Sequence, residues 1–167
     1  MKVLLAISDR FFGDAIVRFA TSHNWPAGTE FKLISVITPV AIQPGRTIKE
    51  KECFFEEDKT QADKLLSQEK ANFLKRLPNT SVECEVMIGH TAKEILACAQ
   101  NWPASLIVMG SHGRKGLERV FLGSVSFHVA SHAPCSLSIV RITDVEMLDF
   151  EMDESDIPDE MKTYAEV

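Results

Sequence analysis

The stretch Leu106-Ile107-Val108-Met109-Gly110-Ser111-His112-Gly113, continuing through Arg114-Lys115-Gly116-Leu117-Glu118-Arg119-Val120-Phe121-Leu122 to Gly123-Ser124-Val125-Ser126, decides how this 167-residue chain is read. It opens on an unbroken apolar run, the mark of a strand buried on both faces. Four of the chain's eight glycines then fall between positions 110 and 123. Glycine lets backbone approach a ligand closely and takes positive φ, so that successive N–H groups can converge on phosphate oxygens. A helix opening at Gly123-Ser124-Val125-Ser126 adds free N–H groups and the positive end of its dipole, with the Ser124 and Ser126 hydroxyls as further donors. A plain strand-to-helix turn has the same composition, so the location of the stretch in the fold separates the two readings.

Working outward, strand and helix signals alternate from the first residue. Val3–Ile7 is a second continuous apolar run, followed by Phe12, Ala15, Ile16, Phe19 and Ala20 at helical spacing. Phe31, Leu33, Ile34, Val36 and Ile37 form the next strand. Residues 38–54, with Pro39, Pro44, Gly45 and the mixed run Lys49-Glu50-Lys51-Glu52, read as a long connection of the kind that often carries function. A helix is expected over about 55–77, stopped by Pro78. Val82, Cys84, Val86 and Ile88 alternate with more polar neighbours, as in a half-exposed strand. Thr91-Ala92-Lys93-Glu94 fits a capping box ahead of a helix bearing Ala92, Ile95, Leu96 and Ala99. Leu137, Ile139 and Val140 make a last short strand.

Five strands joined by four segments predict an α/β fold: an open, doubly wound, five-stranded parallel sheet covered on both faces. The continuous runs belong at its centre and the alternating strand at an edge, which the order 3-2-1-4-5 satisfies. Winding then reverses between strands 1 and 4, and a ligand crevice opens at their carboxyl ends. Ser8, Asp9 and Arg10 lie on one side of it and Gly110, Ser111, His112 and Gly113 on the other. The glycine-rich stretch therefore sits where a Rossmann-like sheet binds its ligand. A P-loop would need GxxxxGK[ST] and a dinucleotide site GxGxxG after strand 1; the sequence has neither.

The spacing Gly110-x2-Gly113-x9-Gly123-Ser124 is similar to that of ATP-binding members of the universal stress protein family, and the resemblance covers about residues 1–142. It implies a single-domain adenine-nucleotide site. Asp9 would lie near the ribose, and Val36 would flank the adenine through its main chain. Met109, Gly110, His112 and Gly113 would line the ribose and phosphates, while Gly123, Ser124, Val125 and Ser126 would hold the phosphates. ATP, with Mg or Mn as companion ion, is the implied ligand, and AMP or a cyclic nucleotide is an alternative. Arg10-Phe11-Phe12 departs from the small or hydroxyl residue common in the family after the strand-1 acid. Asp9 also precedes a helix and suits an N-cap equally well.

The residues favour a binding module over an enzyme. Hydrolysis would need a positioned water, charge neutralisation and usually a carboxylate-held metal. Glu118 is the only acid within the motif, and Arg114, Lys115 and Arg119 suit phosphates or a solvated basic face alike. His112 reads as a hydrogen-bond donor before a general base. His128 and His132 stand four apart on the last helix with no third ligand nearby, so no metal site is expected. The reading is a nucleotide-dependent regulatory dimer of the stress response with little or no hydrolysis; the alternatives are a slow ATPase and a nucleotide-free interaction module. An uncovered last strand, residues 136–141, is expected to pair with a second copy, as family members of this length do.

Charge is unevenly spread. Ten of the 24 acids but only one of the 18 bases lie in residues 144–167, so the body is about +3 and the tail −9. The net charge of −6 argues against nucleic acid as a partner, but it belongs to the tail. Residues 143–167 are expected as an acidic C-terminal tail beyond a 1–142 domain. Val145, Met147, Leu148, Phe150, Met152, Ile157, Met161 and Tyr164 interleave with its acids as anchors for the body or an unidentified protein partner. No apolar run approaches the roughly 20 residues of a membrane span and no export signal is evident, so a cytoplasmic protein is expected. Cys53, Cys84, Cys98 and Cys135 lack any CxxC pairing and are expected reduced and mostly buried.

Overall fold

The computed structural model describes residues 1–39, 48–111 and 122–141, with residues 48–54 described by their backbone. In chain order the elements are β1 (Lys2–Ala6), α1 (Arg10–Thr21), β2 (Glu30–Ile37), α2 (Ile48–Arg76), β3 (Ser81–Ile88), α3 (Thr91–Asn101), β4 (Leu106–Gly110), α4 (Ser124–His132) and β5 (Ser136–Val140). The five strands form one parallel sheet in the order β3-β2-β1-β4-β5, as expected from the sequence.

The pleat divides the core in two. Val3, Leu5, Ile7, Phe31, Leu33 and Val108 face α1 and α2, where Ile16, Val17, Leu66 and Phe73 meet them. Leu4, Ile34, Ile107 and Met109 face the opposite way, against Ala92, Ile95, Ala99 and Val129 of α3 and α4. Burial on both sides is why β1 and β4 show no polar alternation. β3 lies at the edge and keeps Glu83, Cys84 and Glu85 exposed. Lys32 of β2, almost covered, ties that edge down. Its Nζ lies 3.4 Å from Glu83 and 3.1 Å from Glu85, and 5.4 Å from the centre of the Trp102 ring.

Three sequence expectations are corrected. α2 begins at Ile48, seven residues before the expected start, so the run 49–52 is helical. Lys and Glu are strong helix formers, and an apolar stripe is not needed to extend a helix outward from a packed segment. Thr91 is the first residue of α3 rather than its cap. His90 holds the cap position with no side-chain bond, and the Thr91 hydroxyl lies 3.0 Å from that of Thr38. Of the three cysteines whose side chains are described, Cys98 is buried, Cys135 intermediate and Cys84 exposed on the edge strand.

Candidate functional site

β1 and β4 are adjacent and parallel, with Ala6 level with Met109, so the segments leaving their carboxyl ends diverge to opposite faces. From β1 the chain enters α1 through Ser8-Asp9. Asp9 is the N-cap: Oδ1 accepts from the Phe12 N–H at 2.9 Å, and Oδ2 accepts from the Ser8 hydroxyl at 2.6 Å. Of the two roles open to Asp9, capping is the one seen in the structure. The cap sets the start of α1 and aims Phe12 across the end of β4.

That aim explains Gly110. A Cβ at this position would stand 2.9 Å from Phe12 Cγ, closer than real Cβ atoms come to other heavy atoms, and 3.0 Å from Cε1. The missing side chain is thus required by the packing of α1 on β4, whatever binds above it. Across the sheet from Phe12, the buried Ser126 donates its hydroxyl to the Gly110 carbonyl at 3.2 Å. Gly110 is therefore held from both sides, by the Phe12 ring and by the first turn of α4. Ser111 continues the frame, its N–H donating to the Val140 carbonyl at 3.1 Å.

α4 opens on Gly123 as N-cap, with no side-chain bond to the cap. The first helical hydrogen bond runs from Phe127 N–H to the Gly123 carbonyl at 2.9 Å. The N–H groups of Ser124, Val125 and Ser126 precede it, so by helix geometry they have no acceptor within the helix. Ser124 is exposed, Val125 half-buried and packed on the α3–α4 side of the core. Met109 is buried, and its side chain belongs to the same side of the core. Val36 is half-buried near the carboxyl end of β2, level with Met87. His112 and Gly113 lie outside the described residues, as do Arg114, Lys115, Glu118 and Arg119.

The structure thus brings Asp9, Met109, Gly110 and the opening of α4 to one end of the sheet, with Val36 one strand away beyond β1. A separate depression lies elsewhere. It measures about 540 Å³ and is bounded by His23, Trp25, Gly28 and Asn79 at the opposite, amino end of the strands. Hydrogen-bond donors and a dipole end gather at the carboxyl end, so chemistry rather than volume singles out the crevice.

His128 and His132 stack with ring centroids 4.4 Å apart and planes 17° from parallel. Nδ1 of His132 lies 2.9 Å from the His128 carbonyl, which can only accept, so that nitrogen carries the hydrogen. Stacked rings send their lone pairs out side by side instead of converging on one ion. Among the described residues no group of three or more His, Cys, Asp or Glu is disposed to hold a metal.

Two features of this neighbourhood had weak signals in the sequence. Phe12 stands out there only as one position in an apolar stripe, and its contact with Gly110 joins residues far apart in the chain. Glu69, wholly buried on α2, falls in the stripe Ala62, Leu66, Phe73, where a single acid is easily read as a break in the pattern.

Comparison with known proteins matches the universal stress protein family over residues 1–141. The chain belongs to the universal stress protein family. A universal stress protein of Synechocystis sp. is 40% identical over 88 residues, 52% of this chain and 54% of the relative. One from Methanocaldococcus jannaschii is 37% identical over 83 residues, 46% of this chain and 49% of the relative. The matched part of this chain thus spans about half the length of these curated relatives.

Among solved structures, a universal stress protein from Archaeoglobus fulgidus in complex with dAMP superimposes with a TM-score of 0.60 at 19% identity, covering 84% of this chain and 97% of that one. A universal stress protein in complex with cAMP gives 0.58 at 18%, covering 86% and 98%. A family protein from Arabidopsis thaliana with AMP bound gives 0.59 at 16%, covering 87% and 94%. At these identities the likeness is one of fold, and the bound nucleotides are properties of those proteins. No helix among the described residues is long and apolar enough to cross a membrane.

Proposed function

We propose that this universal stress protein is a cytoplasmic regulatory module that binds an adenine nucleotide, ATP foremost, with little or no hydrolysis. One observation carries the reading. The spacing Gly110-x2-Gly113-x9-Gly123-Ser124 runs from the carboxyl end of a central strand to a helix whose first N–H groups lack side-chain caps. Three neutral donors at a helix start suit an anion, and phosphate is the anion that such a site commonly takes. The adenine nucleotides in the structural neighbours support this ligand class.

On this reading Gly123, Ser124, Val125 and Ser126 hold phosphates through their N–H groups. The Ser126 hydroxyl is occupied by Gly110, which leaves the Ser124 hydroxyl as the side-chain donor. Gly110, His112 and Gly113 line the ribose and phosphates, Met109 and Asp9 border the ribose, and the Val36 main chain flanks the base. A divalent ion, Mg or Mn, would come with the phosphates. AMP and cyclic nucleotides compete for the same pocket. Extraction of the purified protein followed by native mass spectrometry tests the reading. Bound adenine nucleotide is expected; a nucleotide-free protein that MgATP fails to stabilise would refute it.

The dimer and tail belong to the same proposal. β5 pairs only with β4 among the described strands, and its other edge suits pairing with a second copy through residues 136–141. Light scattering should give twice the chain mass, and a monomer at tens of micromolar would refute pairing. Residues 143–167 act as an acidic tail outside the 1–142 domain, docking on the body or on a protein partner.

A further inference from the structure

Glu69 is the only acidic or basic side chain that is fully buried among the described residues, with 0% of its surface exposed. It points from α2 into the seam with α1, where Gly13 makes room for it. A Cβ at Gly13 would stand 3.0 Å from its Cδ and 3.1 Å from Cγ and Oε1. Neither carboxyl oxygen has a hydrogen-bond partner. Along α2 its neighbours are Leu66 and Phe73, both core residues, and the sheet presents Phe31, Leu33 and Val82 to the same cluster. The Cys84 thiol donates to the Leu66 carbonyl at 3.6 Å, one turn away.

An ionised carboxylate without partners is poorly tolerated in such a place, whereas a protonated one is merely a modest polar group. Burial is the main cause that pushes the Glu69 carboxyl up to about 7. Asn72 and the charges of Arg10 and Arg76 oppose the rise, while the charge of Asp14 adds to it. Asn72 acts from one turn along α2 without completing a hydrogen bond of normal geometry. The flanking charges thus come from α1 (Arg10, Asp14) and from α2 itself (Arg76).

The seam is one step from the crevice. Gly13 donates its N–H to the Asp9 carbonyl at 2.8 Å, in the turn that also holds the Asp9 cap and aims Phe12 at Gly110. We propose that Glu69 is a proton switch in the α1–α2 seam: neutral, it closes the seam at Gly13 and holds the first turn of α1 in place; ionised, it loosens that turn. The sign follows from the direction of the shift. An acid with a raised value stabilises the closed form fully below its ordinary value near 4.5, and that stabilisation is lost as pH climbs towards 7.

Hydrogen exchange across pH 5.0–7.5, corrected for intrinsic rates, tests the proposal on the full chain. Protection of the Phe12 and Gly13 amides should fall by more than ~10-fold over that interval in the wild type. It should be independent of pH in Glu69→Gln and in Glu69→Met, the second of which extends the apolar stripe. Carbon-13 NMR of the wild-type carboxyl gives a readout that needs no variant. Titration of Glu69 in the ordinary carboxylate range, or the same pH profile in wild type and variants, would overturn the switch. Its consequence for ligand rests on the nucleotide reading: affinity for MgATP should drop over the same interval in wild type and stay level in Glu69→Gln. Failure of every nucleotide to bind would sink that reading and leave the exchange result to decide the switch.

Discussion

Replacing Gly110 by alanine separates what the fold requires of the motif from what a ligand requires. The added Cβ would stand 2.9 Å from Phe12 Cγ and 3.0 Å from Cε1, so the ring must retreat towards ordinary van der Waals separation. Phe12 is 7% exposed and packed among Phe11, Ile16 and Val108, so it cannot swing into solvent without emptying part of the core. Overpacking of this kind costs about 1–3 kcal/mol, against a gain of ~0.4–1 kcal/mol from a less flexible unfolded chain. Gly110→Ala should therefore destabilise by about 1–2 kcal/mol. Phe12→Ala alone should cost about 3–5 kcal/mol as a cavity. Adding Gly110→Ala to it should cost almost nothing, because the obstructing ring is gone. Urea unfolding of the four proteins, compared at constant m, reads this coupling directly. Equal cost of Gly110→Ala in both backgrounds, within ~0.5 kcal/mol, would refute the argument that Phe12 dictates the glycine.

Two further substitutions test the frame around the crevice. Ser126→Ala removes the hydroxyl that the Gly110 carbonyl accepts and should cost about 1–3 kcal/mol in chemical denaturation, since a buried acceptor loses its partner. Lys32→Met should cost about 1 kcal/mol by losing two acidic partners and the Trp102 ring at the β3 edge, while leaving nucleotide binding at the distant crevice unchanged in titration calorimetry.

Local pattern made most of the fold legible. Val3–Ile7 and Leu106–Met109 are apolar at every position because both faces are covered, and the alternation over 82–88 marks a strand with one face open. The order 3-2-1-4-5 satisfies both facts, and it is the order the sheet has. Element ends were less legible. The Lys-Glu run at 49–52 has no apolar face to announce a helix, although its residues favour one, and Thr91 fits a capping motif whose geometry His90 pre-empts. In the crevice, Gly110 and Gly123-Ser124 were readable because one glycine-spaced motif runs from the strand end to the helix start. The reason Gly110 bears no side chain was not, because it depends on a ring about a hundred residues earlier. The burial of Glu69 is hidden in the sequence for a similar reason. Whether an acid in an apolar stripe is solvated or sealed depends on what faces it, and here that is a glycine on another helix.

On the proposed reading, the motif from Gly110 to Ser124 binds a phosphate-bearing adenine nucleotide. Calorimetric titration of MgATP into nucleotide-stripped protein, alongside Gly123→Val, tests it most directly. Saturable binding to the wild type is expected, with competition by AMP or a cyclic nucleotide and loss of binding in a Gly123→Val variant that still unfolds cooperatively. Absence of binding to stripped, folded wild type, or undiminished affinity in Gly123→Val, would contradict it.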